Sequence, residues 1–329
     1  MLQFPKPTDS IQYKDKIQKI EVLSKTLTNI PLTTDQTKHI FHQQLFKSSL
    51  FSAKIEGNTL TLETAKYLDL DNPKQKKGQE ISNIAQAHQQ LTTVKEIGLG
   101  RLKSFHQTIM KNLPGSAGQI RSEVTAIFDQ SGNAVYITPD PAEAKKMLDI
   151  LFKQLNTRPP SLAEELNLAI NCHYYFEKVH PFVDGNGRLG RILLHWQLKK
   201  FDFIGDYILP IEEYFNTYRN KYYTHLEKNS TNTTDFFNFF LEGIIWSLEK
   251  QLEEIKNLSL KKPTPNLLPR RQEIINIITD HPYCSLDSIA RRFPTIARRT
   301  IQYDVNQLIK KGCVNKHGQT RGVVYTVKN

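Results

Sequence analysis

Only three cysteines, Cys172, Cys284 and Cys313, occur in 329 residues. Their number is odd, their spacing is wide and no C-x-x-C pair occurs. A disulfide framework and a zinc ribbon are therefore excluded, and a reducing, cytoplasmic setting is expected. No run approaches the ~18 apolar residues of a membrane-spanning helix, so no membrane association is expected. The opening residues MLQFPKPTDS lack an apolar run behind a basic end, and no secretory signal is expected from them. Internal repeats are absent, and low complexity is confined to the polar run NSTNTTD at 229–235. The hydrophobic fraction of 39% and charged fraction of 23% are ordinary for a globular chain and exclude wholesale disorder. The length is enough for a substantial core without staples, and for two or three domains.

The chain carries a formal charge of +11, unevenly placed. Residues 266–329 hold 11 Lys/Arg against 4 Asp/Glu, whereas the other 265 residues hold 33 against 29. An anionic partner is thus expected, if at all, of the last fifth of the chain. Pro263, Pro265 and Pro269 lie too close together to continue a helix, which predicts a linker at 257–268. The expected division is an N-terminal helical region at 1–94, a central domain at 95–256, that linker, and a small domain at 269–329.

Before the linker the pattern is mainly α. Leu162, Leu166, Ala169, Cys172, Tyr175, Phe176 and Val179 recur at steps of three and four, one buried helix face. Ser161 with Glu164 three residues on reads as its N-cap. Similar periodicity predicts helices at 34–56, 80–96, 101–112, 141–155, 188–201, 212–228 and 234–257. In contrast, β-branched and aromatic residues at 123–138 flank the turn signal Asp129-Gln130-Ser131-Gly132-Asn133, which predicts a β-hairpin.

The chemistry concentrates in HPFVDGNGRLGR, His180 to Arg191. Gly185 to Gly190 formally match G-x-G-x-x-G, but a dinucleotide site needs a strand just before the glycines, and helical period precedes these. A different geometry fits. Pro181 disfavours helix at His180. The glycines permit an anion-holding nest of N–H groups, and a helix beginning near Arg188 turns its positive end to the same loop. Arg188 and Arg191, three apart, share a face and call for an anion between them. Asp184 among phosphate ligands implies a hard cation such as Mg²⁺. His180 is the one group in the loop able to accept a proton near neutral pH. Base, metal ligand, nest and arginines together describe phosphoryl or nucleotidyl transfer.

The same twelve residues resemble the Fic family signature H-P-F-x-[DE]-G-N-G-R-x-x-R at every fixed position, and the resemblance extends over roughly 95–255. It implies a Fic-type, mainly helical core with a β-hairpin flap. The implied activity moves AMP from ATP to a Ser, Thr or Tyr hydroxyl of a protein, with Mg²⁺. His180 would then deprotonate the hydroxyl and Asp184 would hold Mg²⁺. Gly185, Asn186 and Gly187 would line the anion pocket, Arg188 would grip the phosphates and Arg191 would fix the γ-phosphate, with Leu189 and Gly190 in the same nucleotide-binding segment. The hairpin resembles the family's flap, whose edge would pair with the target's backbone while Val124, Thr125, Ala126 and Ile127 border the nucleotide. Tyr222 and Tyr223, in a stretch resembling the family's adenine-side segment, offer flat faces for stacking.

Nearer the start, Ser52-Ala53-Lys54-Ile55-Glu56-Gly57 closes a helical stretch, and Glu56 at the negative end of that helix wants a cation. These residues resemble the family's inhibitory motif, [ST]-x-x-x-E-[GN]. The resemblance implies that Glu56 pairs with Arg191 and holds ATP in an unproductive pose, and removal of AMP stays open as a second activity. Residues 269–329 show three helical patterns and two strands around His317-Gly318-Gln319, resembling a winged helix-turn-helix domain. Arg298, Arg299, Gln302 and Tyr303, with Lys316 and Arg321 on the wing, are the candidate DNA contacts; a protein partner is the alternative. Two further readings stay open: a nucleotide-sensing DNA-bound regulator, and the same fold with another nucleotide donor. A homodimer is compatible with the sequence.

Overall fold

The computed structural model describes residues 11–65, 73, 75–128, 134–227, 234–260, 267–319 and 322–328. They divide into two compact units, 1–255 and 256–329.

The first unit contains α1 (Ile11–Thr28), α2 (Thr34–Ile55), α3 (Leu62–Ala65), α4 (Lys76–Gln90) and α5 (Leu99–Ile109). The hairpin β1 (Ala126–Phe128) and β2 (Ala134–Ile137) follows, and then α6 (Pro141–Leu155), α7 (Leu162–Val179) and α8 (Asn186–Lys200). It closes with α9 (Glu212–Thr217), α10 (Arg219–Glu227) and α11 (Thr234–Leu260). The helix ends follow local chemistry. Thr33 and Gln36 form a reciprocal capping box at the start of α2. Asp140 caps α6 ahead of Pro141, which needs no partner for a missing N–H. The Ser161 hydroxyl accepts from the Glu164 N–H at the start of α7.

The centre is α8. Leu189, Ile192, Leu193, Leu194, Trp196 and Leu198 are all buried, leaving the helix little open face. It packs on α7, which also packs on α6, while α2 lies against α4, α9 and α8. Four further polar side chains of α8, Arg188, Arg191, His195 and Gln197, are consequently buried too. Buried polar groups require partners, and neighbouring helices supply them to three of these four, as described below.

Several expected boundaries shift. α1 carries no clear apolar period, because its buried residues, among them Tyr13, Ile20 and Leu27, are sparse among Lys, Gln and Thr. The helix expected at 212–228 breaks at Tyr218, where φ is −109° and ψ is 41°. α11 continues to Leu260, past the expected linker start, because Asn257 to Leu260 contain no breaker. Pro263, Pro265 and the hairpin turn at 129–133 lie outside the described residues. β1 and β2 pair antiparallel, with Ala126 opposite Ile137.

The second unit contains α12 (Pro269–Asp280), β3 (Cys284–Ser285), α13 (Leu286–Ala290), α14 (Arg298–Lys310), β4 (Val314–His317) and β5 (Val324–Val327). The sheet order is β3-β5-β4, antiparallel throughout. Ser285 caps α13, and Gly312 leaves α14 with φ 71°. Ile274, Ile278, Ile289, Ile301, Val305, Leu308 and Tyr325 form the core. The fully buried Asp304 carboxylate accepts from Arg270 Nε at 2.5 Å and Arg271 Nε at 2.7 Å. Burial works against its charge, and the two arginines more than offset that, leaving its pKa lowered. Asp304→Ala strips α12 of that anchor. It should destabilise this unit by about 2 kcal/mol, read as faster hydrogen exchange across α12 and α14 and unchanged exchange across α7 and α8.

Candidate functional site

The loop between α7 and α8 is shaped from both ends. His180 ends α7 in the left-handed region, at φ 45° and ψ 60°. A non-glycine residue held there stores roughly 1–3 kcal/mol of strain, a placement that concentrates at functional sites. Gly185, at φ 80°, opens α8. Between them the Asn186 side chain clamps the turn, accepting from Phe182 N–H at 3.0 Å and donating to Phe182 O at 2.8 Å.

Two residues that sequence reasoning did not single out hold the loop from outside. His106 on α5 lies parallel to Phe182 at a centroid distance of 3.7 Å. The Gly118 N–H donates to His106 Nδ1 at 2.7 Å, so the proton sits on Nε2, which donates to Asp184 O at 2.8 Å. Side-chain mass at Gly185 is excluded by the same neighbours: a Cβ there would meet Met110 Sδ at 2.9 Å and His106 Nε2 at 3.2 Å. Arg121 donates to the carbonyls of His180 at 2.9 Å, Glu123 at 2.6 Å and Pro139 at 2.6 Å, tying the loop to both flanks of the hairpin. His106 follows an ordinary helical period and Arg121 stands outside any motif, so neither carries a sequence signal.

Asp184, Arg188 and Arg191 are each held in an ion pair. Asp184 Oδ1 accepts from Gly185 N–H at 2.6 Å and from Arg188 at 2.9 Å, with 60% of its side chain exposed. Arg188 also donates to Glu80 Oε1 at 2.9 Å, and Glu80 is held in turn by Asn58. Arg191, 1% exposed, donates to Ser52 Oγ at 2.9 Å, Ser52 O at 3.0 Å and Glu56 Oε1 at 2.7 Å. Burial works against the Arg191 cation, but the Glu56 charge and hydrogen bond outweigh it and raise its pKa. The two arginines thus engage different carboxylates, Asp184 and Glu80 for Arg188 and Glu56 for Arg191. Glu56 follows the last residue of α2, and Gly57 behind it takes φ 99°. Its carboxylate overlies the nest, since a Cβ on Gly187 would lie 2.5 Å from Glu56 Oε1.

His180 Nδ1 lies 3.3 Å from the Glu177 carbonyl, which assigns the proton to Nδ1 and leaves Nε2 a lone pair. Burial pushes the His180 pKa down to about 4, partly countered by that hydrogen bond and by Glu56. Glu177 moves the other way, up to about 8, through burial.

The remaining expected residues separate. Thr125 shares a hydroxyl and backbone bond pair with Thr138 beside β1, next to Ala126 and Ile127 on that strand, and Val124 is 51% exposed. Leu189 and Gly190 are corrections. Leu189 is buried and its N–H is bonded to Gly185 O, so it has no donor for a phosphate. Gly190 lets α8 approach α7, because a Cβ there would strike Glu177 and Phe176. Tyr222 is also a correction: it is 1% exposed, its hydroxyl lies 2.9 Å from His173 Nε2 and its ring is stacked on Phe215 at 4.6 Å, leaving no open face for a base. Tyr223 is half-buried and donates to Ile55 O at 3.1 Å, against the end of α2. In the second unit Arg299, Gln302, Tyr303 and Lys316 are exposed, Arg298 is paired with Asp287 at 2.6 Å, and Arg321 lies outside the described residues.

Residues 96–198 match the Fic/DOC family. The chain is similar to the protein adenylyltransferase Fic of Drosophila yakuba, 23% identical over 269 residues that cover 78% of this chain and 52% of the relative. It is also similar to that of Nematostella vectensis, 24% identical over 202 residues covering 58% and 46%. The chain thus spans about half the length of these curated relatives. The crystal structure of a Fic family protein from Desulfovibrio desulfuricans matches 99% of this chain and 98% of its own, with a TM-score of 0.69 at 19% identity. That of a Fic domain containing signaling protein from Bacteroides thetaiotaomicron matches 76% and 100%, with a TM-score of 0.60 at 19% identity. At these identities the likeness establishes the fold.

The lowered pKa makes the His180 imidazole neutral from neutral pH down to about pH 5. It binds protons less readily folded than unfolded, so the stability it contributes is complete above the reference value of ~6.5 and is lost as pH falls toward about 4. A histidine-resolved NMR titration should find its midpoint near 4; a midpoint near the reference value would contradict the burial argument.

Proposed function

We propose that the chain, whose residues 96–198 match the Fic/DOC family, is a protein adenylyltransferase restrained by Glu56. The observation that carries this reading is the loop itself: an imidazole whose Nδ1 faces the Glu177 carbonyl, glycines beside it, an exposed carboxylate and two buried arginines. In the proposed step the target hydroxyl gives its proton to His180 Nε2. Its oxygen attacks the α-phosphorus of ATP, the new P–O bond forms, and the bond to the β-phosphate oxygen breaks to release pyrophosphate. The N–H groups at the start of α8 face the phosphates. Arg188 offsets developing charge there, once its tie to Asp184 loosens.

Asp184 fits a Mg²⁺ ligand by the chemistry of its donor set. It offers a solvent-facing carboxylate, and Mg²⁺ is commonly held by one or two carboxylates plus substrate phosphates. When bound, the ion supplies positive charge to the phosphate oxygens. The hairpin would present its exposed margin, Val124 and Ile137, to an extended segment of the target.

Glu56 supports the restraint by position: it occupies Arg191 and the space over Gly187, where a terminal phosphate would lie. Residues 269–329 we read as a winged helix. The net charge of +7 on 266–329 and the exposure of Arg299, Gln302 and Lys316 favour a nucleic-acid phosphate backbone as its ligand. Binding of duplex DNA by the full chain should weaken steeply with added salt and fall in Arg299→Ala and Lys316→Ala; salt-insensitive or absent binding would redirect that unit to a protein partner.

Labelled AMP transfer, self-modification included, tests the main reading. Glu56→Gly should raise incorporation ~10–100-fold, the span of a typical coupling free energy. Adding His180→Ala to that variant should lower it by ~10²–10⁴-fold, the usual contribution of a general base, with ATP binding retained. Equal incorporation with and without His180 would defeat the assignment.

A further inference from the structure

One polar cluster lies outside this chemistry. His88 on α4, His195 on α8 and Glu212 on α9 are 4%, 5% and 0% exposed, and their donor atoms all lie within 4.8 Å of one another. His195 Nε2 lies 2.7 Å from Glu212 Oε1. Both imidazoles direct Nε2 at the hydroxyl of Ser48, a fully buried residue of α2, at 3.0 Å for His88 and 3.4 Å for His195. That hydroxyl donates to Glu212 Oε2 at 2.9 Å. The two rings meet edge-on, with centroids 4.5 Å apart and planes at 72°.

We propose that His88, His195 and Glu212, completed by Ser48, bind a divalent transition-metal ion such as Zn²⁺. Two imidazole nitrogens and one carboxylate oxygen are the donor types that favour zinc and its neighbours over Mg²⁺ or Ca²⁺. Among the described residues, the only ion-pair partner of the buried Glu212 is His195; no Lys or Arg reaches it. A carboxylate taken wholly from water is poorly compensated by one imidazole, and a dication supplies what is missing. With metal–donor bonds of about 2.1 Å, tetrahedral donors stand roughly 3.4 Å apart, so the widest pair would close by up to roughly 1.4 Å. Small side-chain rotations supply this once the Ser48 oxygen leaves the centre of the cluster and becomes the fourth ligand. A cavity lined by His88, His195, Phe41, Thr92, Lys199 and Tyr207 adjoins the cluster and provides the way in. The ion would fasten α2, α4, α8 and α9 together, one helical turn from the Arg191 site.

The test uses the untagged full chain, stripped with a chelator and titrated with Co²⁺. The site should develop the visible bands of four-coordinate cobalt at one ion per chain, and Zn²⁺ should bleach them. His88→Ala and Glu212→Gln should abolish the bands, whereas Asp184→Asn and His180→Ala, altered in the α7–α8 loop, should retain them. Zn²⁺ should raise the melting temperature of the wild type and leave that of Glu212→Gln unchanged. Glu212→Gln keeps the shape of the side chain and carries the test by itself if His88→Ala fails to fold. Absence of the bands, their survival in Glu212→Gln with native circular dichroism, or their loss in Asp184→Asn would overturn the proposal.

Discussion

A guanidinium sealed among packed helices must have a counter-charge, because removing one partner of a buried ion pair costs about 3–5 kcal/mol. Arg191 stands in that position at the core of α8. Its partner, Glu56, comes from a helix 135 residues earlier in sequence. Ser52, one turn back on the same helix, accepts from Arg191 Nε through its hydroxyl and from Nη2 through its carbonyl. This single cation therefore fixes where the end of α2 must lie, and with it the environment of the glycine loop. Gly187 tolerates the carboxylate only because it has no Cβ. Packing, charge and the geometry of the nest meet at this one buried side chain.

The loop itself rests on an exchange of strain for orientation. Holding His180 left-handed is unfavourable in isolation, and the surrounding bonds over-determine it. Arg121 takes the His180 carbonyl, the Arg121 N–H donates to Pro181 O, and the Phe176 carbonyl keeps the His180 N–H in the last helical turn. The imidazole is thereby turned so that Nδ1 faces its own helix end and Nε2 is left over. Burial then removes the competing protonated form near neutral pH. Orientation and protonation state have different causes, the first backbone geometry and the second desolvation, and both converge on the same nitrogen.

Much of this was legible in the chain. The periodicity of 162–179 located α7 because its apolar residues face one core, and Pro181 marked its end. Glu56 announced a need for a cation by standing at the wrong end of a helix dipole. What stayed hidden has a common cause. His106, Arg121 and Glu80 act on backbone carbonyls or on distant charges, through contacts separated by 59 to 108 residues. No local spacing encodes such contacts. Tyr222 misled for the opposite reason: an aromatic at helical spacing reads alike whether it faces a ligand or, as here, Phe215. Leu189 and Gly190 sit inside a chemical motif yet serve packing, since a helix returns each side chain to the core every turn or so.

The polar contacts between α2 and α8 form two successive layers. Ser48 and Ser52 are one turn apart on α2, and His195 and Arg191 are one turn apart on α8. In both layers a serine of α2 meets a nitrogen of α8, and a carboxylate, Glu212 or Glu56, completes the set. The layers differ in burial. Glu212 is sealed, while the Glu56 side chain retains 29% exposure beside the glycine nest. An incoming phosphate could therefore replace the Glu56 carboxylate without leaving Arg191 unpaired at any stage, whereas nothing from solvent can replace Glu212 so simply. On the proposed reading, release of the restraint is an exchange of one anion for another. Its free-energy difference is far smaller than the cost of breaking the pair outright, and the inner layer keeps α2 seated while the exchange takes place.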